Sequence, residues 1–174
     1  LIVKSNILLN GSSEKPISIT SKDKTGLGMI VYGENNQSIF KNVNIYDLST
    51  ISYDFSKGLN LTAPLTFYET NLFLKNVKAQ NNINGDDIIN IIRSNFIIED
   101  SLFANSQADA LDIDFSTGNI SNSFFNNCGN LKNSENEINL NGDCIDFSGS
   151  VVSLNNIKIN GAGDKALSVG ESSK

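Results

Sequence analysis

The sequence predicts an all-β chain: a right-handed, single-stranded parallel β-helix, a solenoid of coils of about 22 residues with three short strands in each. Three observations predict it. The composition favours strands and turns, since Ile, Val, Phe, Ser, Asn and Gly replace the Ala, Leu, Glu and Lys of long helices, and only Pro16 and Pro64 interrupt the chain. A six-residue unit recurs without gaps as Asp86–Ile91, Ala108–Ile113, Gly142–Phe147 and Asp164–Val169, at steps of 22, 34 and 22. A separate column of Asn42, Asn76, Asp100, Asn122 and Asn156 advances at steps of 34, 24, 22 and 34.

Taken in order, Leu1–Asn10 reads as a first strand; it lacks the basic start of a signal peptide. Lys22–Gly28 is a polar connector. Leu27–Tyr32 and Ser38–Asp47 are strands of an early coil, and Asp47–Leu59 is a loop or excursion. The stretch 1–60 is therefore the less regular part of a single domain spanning 1–174. From Phe40 onward each Asn or Asp of the column sits two residues after an apolar one: Phe40, Leu74, Ile98, Ile120 and Leu154. These side chains should point inward, because strand side chains alternate between faces. Asn and Asp tolerate the left-handed backbone of a sharp corner, and stacked Asn amides can bond as a ladder.

The repeated units supply two further inward columns: Ile89, Leu111, Ile145 and Leu167, then Ile91, Ile113, Phe147 and Val169. After the Asn corner, Ile45, Ala79, Phe103, Phe125 and Ile159 should also turn in. A hydroxyl column of Thr70, Ser94, Ser116, Ser150 and Ser172 reads as a second turn ladder. The step of 34 between units is one coil plus a 12-residue insertion, placed in the polar run 129–141. Cys128 and Cys144 bracket that run. Two buried thiols are the expected state and a disulfide the alternative. The last coil, Ala166–Ser172, is unfinished. Open coils expose edges and core, so the chain is expected to belong to a longer protein or to meet further coils or an oligomer partner at its ends.

Charge narrows function. The net charge is −6 and Arg93 is the one arginine, so the chain is a poor candidate for nucleic acid and none is expected as a partner. No apolar run reaches the roughly 18 residues of a membrane span. Two cysteines without any histidine argue against zinc.

With these columns in place, the chain resembles the right-handed parallel β-helix repeat family, the pectate-lyase-like superfold. The resemblance covers about 27–174 and rests on the Asn ladder and the repeated Gly-Asp-x-[Ile/Leu]-Asp unit, as in Gly142–Asp146. It implies an architecture shared by polysaccharide lyases, polysaccharide hydrolases, tailspikes, adhesins and noncatalytic modules, so the site must settle function.

The candidate site is a stack of carboxylates. Asp87, Asp109 and Asp143 share one column that Lys165 continues. Asn90, Asp112, Asp146 and Ser168 share another, expected to face outward, with Asp114 beside them. Coils about 4.8 Å apart would force such charges to repel, to raise one another's pKa or to take up a cation. The leading expectation is a noncatalytic extracellular or cell-surface module, offering Asp112, Asp114, Asp146 and Asn90 to a polysaccharide or a surface protein. The same Asp residues also read simply as turn residues that accept backbone N–H groups. A second reading, implied by the resemblance, is a calcium-dependent polysaccharide lyase, with Asp112, Asp143 and Asp146 holding calcium and Lys165 or Arg93 as base. A hydrolase using Asp112 or Asp114 with Asp146 is a third, although the histidine motif of such members is absent. A structural stalk is a fourth. The Asn10, Asn36, Asn60 and Asn119 sequons arise readily by chance in so Asn-rich a chain, and Tyr32, Tyr46, Tyr53 and Tyr68 are of the type that stacks on sugars.

Overall fold

The computed structural model describes residues 1–33, 37–50, 61–129, 132–134, 137–138 and 141–174. Asn36, Asn60, Tyr53 and most of the predicted Asp47–Leu59 loop lie outside them, as does part of the 129–141 insertion. Among the described residues there is no helix, and the strands form mostly parallel sheets.

The first sheet orders Ile2–Val3, Met29–Tyr32, Leu65–Tyr68, Ile89–Ile92, Leu111–Asp114, Ile145–Ser148 and Leu167–Val169, every neighbour parallel. Its register sets Met29, Leu65, Ile89, Leu111, Ile145 and Leu167 side by side. The predicted unit therefore extends two repeats earlier than its Asp residues showed. Leu65-Thr66-Phe67 and Met29-Ile30-Val31 carry the same apolar spacing without the acidic mark.

The second sheet is built on Gln37–Tyr46 and Asn71–Gln80, two long strands that pair in parallel across the corner at Asn42 and Asn76. In later repeats the corner divides the strand, into Asn95–Glu99 with Leu102–Ala104, then Thr117–Ser121 with Phe124–Cys128, then Val151–Asn155 with Lys158–Ala162. Within the insertion, Lys132–Ser134 and Glu137–Ile138 form a small antiparallel pair.

The corners explain the polar columns. Asn42, Asn76, Asp100, Asn122 and Asn156 all hold positive φ, between 49° and 53°. The Asn76 amide donates to Asn42 Oδ1 at 2.6 Å and the Asn156 amide to Asn122 Oδ1 at 2.9 Å. A second ladder went unread in the sequence. Asp47, Asn81, Asn105 and Asn127 also hold positive φ, and Asn127 donates to Asn105 as Asn105 does to Asn81, both at 2.9 Å. Its steps of 34, 24 and 22 repeat those of the first, which is the signal that could have found it.

The hydroxyl column is real with one correction. The backbone N–H groups of Thr70, Ser94 and Ser116 donate to the hydroxyls of Ser94, Ser116 and Ser150 in turn. Ser150 then donates to Ser173, not Ser172. Ser172 instead holds positive φ, as Glu69, Arg93, Phe115 and Gly149 do before the earlier members. One extra residue in the final turn shifts the hydroxyl by a position.

The core fills the space between the sheets. Phe40, Leu74, Ile98, Ile120, Ile89, Leu111, Ile145, Ala79, Phe103 and Phe125 are buried as the alternation requires. Leu167 and Val169, in the last strand, are 39% and 56% exposed because no further strand lies beside them in the described chain. Asn90, expected outward, is buried, and its amide donates to Asp112 Oδ2 at 2.6 Å.

Cys128 and Cys144 are joined as a disulfide, contrary to the expectation of two thiols. The bond ties the end of Phe124–Cys128 to the start of Ile145–Ser148 across the insertion. Closing a loop of this size restrains the unfolded chain by about 3 kcal/mol. Reduction, or a Cys128→Ser/Cys144→Ser pair, is expected to lower the urea unfolding free energy by about that amount. A change below about 1 kcal/mol would show that the insertion is already held without it.

Candidate functional site

The Asp-bearing units lie at the entry to successive strands of the first sheet, and there they line one cleft. Its volume is about 350 Å³, and its wall is Thr62, Asp86, Asp87, Ala108, Asp109, Asp112, Asn141, Asp143, Asp146, Asp164 and Lys165. Parallel pairing causes the convergence. Asp112 lies directly beside Asp146 in the ladder, and Asp109 and Asp143 keep the same register three residues earlier.

Two of the carboxylates are also structural. Asp109 Oδ1 accepts the backbone N–H of Asp143 at 2.7 Å, and Asp143 Oδ1 accepts that of Lys165 at 2.7 Å. Each aspartate thus satisfies a donor in the next repeat, the turn role expected of Gly-Asp. Gly142 is needed for this approach, since a Cβ there would stand 2.4 Å from the carbonyl oxygen of Ala108.

The electrostatics follow from crowding. Burial pushes Asp112 up to about 7, and the charges of Asp114, Asp109 and Asp146 add to it, against the hydrogen bond from Asn90. Burial raises Asp109 to about 6, with Asp143 and Asp146 contributing, against the Asp143 backbone bond. Asp87 is raised well above its ordinary value, by burial first and by Asp112 next. Asp114 is raised by burial and by Asp146. Burial first, and the predicted repulsion second, thus favours the protonated form of these carboxyls.

Asp112, Asp143, Asp146 and Lys165 meet in the cleft, whereas Asn90, Asp114 and Arg93 are not part of its wall. Arg93 holds a corner: its guanidinium donates to the Tyr68 hydroxyl at 3.0 Å, pairs with Glu69 at 3.6 Å and lies over the Phe115 ring. Lys165 pairs with Asp164 and, at 3.5 Å, with Asp143 Oδ2. The hydrogen bond to Asp164 raises its pKa, with Asp143 adding to this. Both carboxylates thus favour the charged form of Lys165. Among the described residues no group of three or more carboxylates or thiols is arranged to hold a metal ion.

Asp86 and Asp164 joined the site only in three dimensions. Each directly precedes a column residue, Asp87 or Lys165, and alternation alone would point it elsewhere. Their signal in the sequence was their place as first residue of a repeated unit, where the other units have Ala108 and Gly142. No protein-family model matches the chain, and no curated protein matches it. The site must therefore speak through its chemistry.

Proposed function

We propose that this protein is a right-handed parallel β-helix module of the pectate-lyase-like superfold, which binds a glycan outside the cell without transforming it. The observation that carries the reading is the cleft: aspartates in and just before successive parallel strands line one depression. Carboxylates are strong acceptors for sugar hydroxyls, each offering two oxygens. A depression also favours an oligosaccharide over a flat protein surface. The solenoid reading is supported by parallel pairing at a near-constant register and by the stacked Asn and Ser corners. Export is supported by the Cys128–Cys144 disulfide, which persists in oxidising compartments.

One observation favours a second reading. Asp112, pushed up to about 7, keeps a proton near neutrality beside Asp146, an arrangement that could deliver a general acid to a glycosidic oxygen.

Both are tested by one experiment. Immobilised neutral and amine-bearing oligosaccharides are probed with the protein and with Asp112→Asn/Asp146→Asn, and reducing ends are followed in parallel. Binding that the double variant loses by about tenfold or more, without new reducing ends, is expected. Equal binding by the variant would remove the cleft from the account. Reducing ends released by the wild type alone would establish the hydrolase.

A further inference from the structure

We propose that two copies of this chain associate side by side through the outer face of the second sheet, with their repeats in opposite order. The first observation is a stripe of apolar side chains turned to solvent. Leu8, Ile39, Phe73 and Ile97 are ladder neighbours in successive repeats. The residues on either side, Ser38 and Phe40, Leu72 and Leu74, Phe96 and Ile98, are buried, so alternation turns Ile39, Phe73 and Ile97 outward. Leu8 is 64% exposed and Ile97 39%. The fold does not demand apolar residues there, since the next repeats carry Asn119 and Ser153 at the same positions. A continuous row of this kind, unlike single exposed residues, marks a contact surface.

The charges beside the stripe identify its partner. Two residues further along the same strands stand Lys41, Lys75 and Glu99 in ladder register, and Asp100 occupies the corner after Glu99. The order along the axis is therefore cation, cation, then anions. Lys75 pairs with Glu99 at 2.9 Å and with Asp100 at 3.7 Å. Lys41 has no such partner. Its ammonium lies 5.4 Å from the centre of the Phe73 ring, and among the described residues no carboxylate pairs with it. Lys41, Phe73, Lys75 and Asp100 line one groove of about 590 Å³.

A two-fold axis along the Phe73 strand makes this order self-complementary, as an interface between identical copies must be. It sets Phe73 against its counterpart and Ile39 against Ile97. It also brings Lys41 of each copy opposite Glu99 and Asp100 of the other. Lys75 meets Lys75, each with its own carboxylates alongside. A two-fold axis along the solenoid would put the lysines opposite Gln37 and Asn71 instead, and would leave Lys41 without an anion. Three steps of about 4.8 Å make the stripe roughly 15 Å long. That is short for a permanent interface, so the association should be reversible.

Sedimentation velocity between about 5 μM and about 1 mM tests this. A monomer–dimer equilibrium with its midpoint in that range is expected, and it should weaken as salt rises. Phe73→Ser and Ile97→Ser should each weaken dimerisation by about tenfold or more. Lys41→Glu and Glu99→Lys should each weaken it by about fivefold or more, and combining them should restore the wild-type affinity to within about threefold. A combined variant no tighter than either single one would overturn the reversed pairing. Dimerisation unchanged by both serine variants would place the contact elsewhere and overturn the proposal. A monomer at every concentration would overturn it too; if that monomer bound anilinonaphthalene sulfonate and Phe73→Ser did not, the groove would belong to a small anionic apolar ligand.

Discussion

Acidifying the protein from about pH 8 to about pH 5 is expected to stabilise it, the reverse of the usual acid response. The cause is the burial of these carboxyls in the cleft, with their neighbours' charges adding to it. Asp112 titrates at about 7 in the folded chain, against roughly 3.9 when unfolded, and Asp109 at about 6. Between those values the folded state holds more protons than the unfolded state. Its stability is therefore full below about pH 4 and is lost as pH rises through 7. Asp112 alone contributes about 2–4 kcal/mol over this window, the lower figure allowing for its partial exposure. Asp87 acts in the same direction. A melting temperature higher by roughly 5–15 °C at the acidic end would record it. Asp112→Asn removes the charge and should flatten most of the slope. A melting temperature that is flat or falling on acidification would mean that the carboxylates are relieved by something outside the described residues.

Truncating Phe103 to alanine should cost about 3–5 kcal/mol. Phe103 is fully buried and stacks on Phe125 of the next repeat, with ring centroids 5.1 Å apart and planes 19° apart. Its backbone also pairs with Ala79 on one side and Phe125 on the other. The small Ala79 leaves room for the ring and cannot fill the space that its loss would open. Adjacent repeats bury one another's apolar face, so damage in the middle of the stack is felt on both sides. A fall in melting temperature of roughly 6–20 °C follows. A fall under about 3 °C would show that the neighbours close the cavity.

Much of this architecture was legible because a stacked chain writes its contacts at a fixed spacing. The columns of Ile89, Leu111 and Ile145, and of Asn42, Asn76 and Asn122, could be aligned by counting. The structure sets the first as ladder neighbours and the second as positive-φ corners. The earlier repeats at Met29 and Leu65 were harder to see. They lack the acidic residues that marked the unit, and an apolar spacing alone is common. The second Asn ladder escaped because Asp47 looked like the start of a loop.

The candidate site was legible only in outline. A period of two states which face a strand residue takes, but Asp86, Asp164 and Asn141 precede strands, where the corner and not the pleat aims the side chain. Arg93 stood near the carboxylates in sequence and is turned to a corner by its positive φ. The disulfide could not be read from spacing, because Cys128 and Cys144 meet only when the insertion folds back.

The sequence by itself determined the strands, the repeat register, the corner residues and the existence of an acidic column. Those depend on alternation and on backbone preferences that each residue carries with it. Only the tertiary structure decided that seven aspartates, Asp86, Asp87, Asp109, Asp112, Asp143, Asp146 and Asp164, share one cleft, and that Asp87 is buried with one carboxyl oxygen lacking a hydrogen-bond partner among the described residues. Burial, repulsion and hydrogen-bond supply are properties of neighbours in space, and those neighbours are brought together only when the repeats stack.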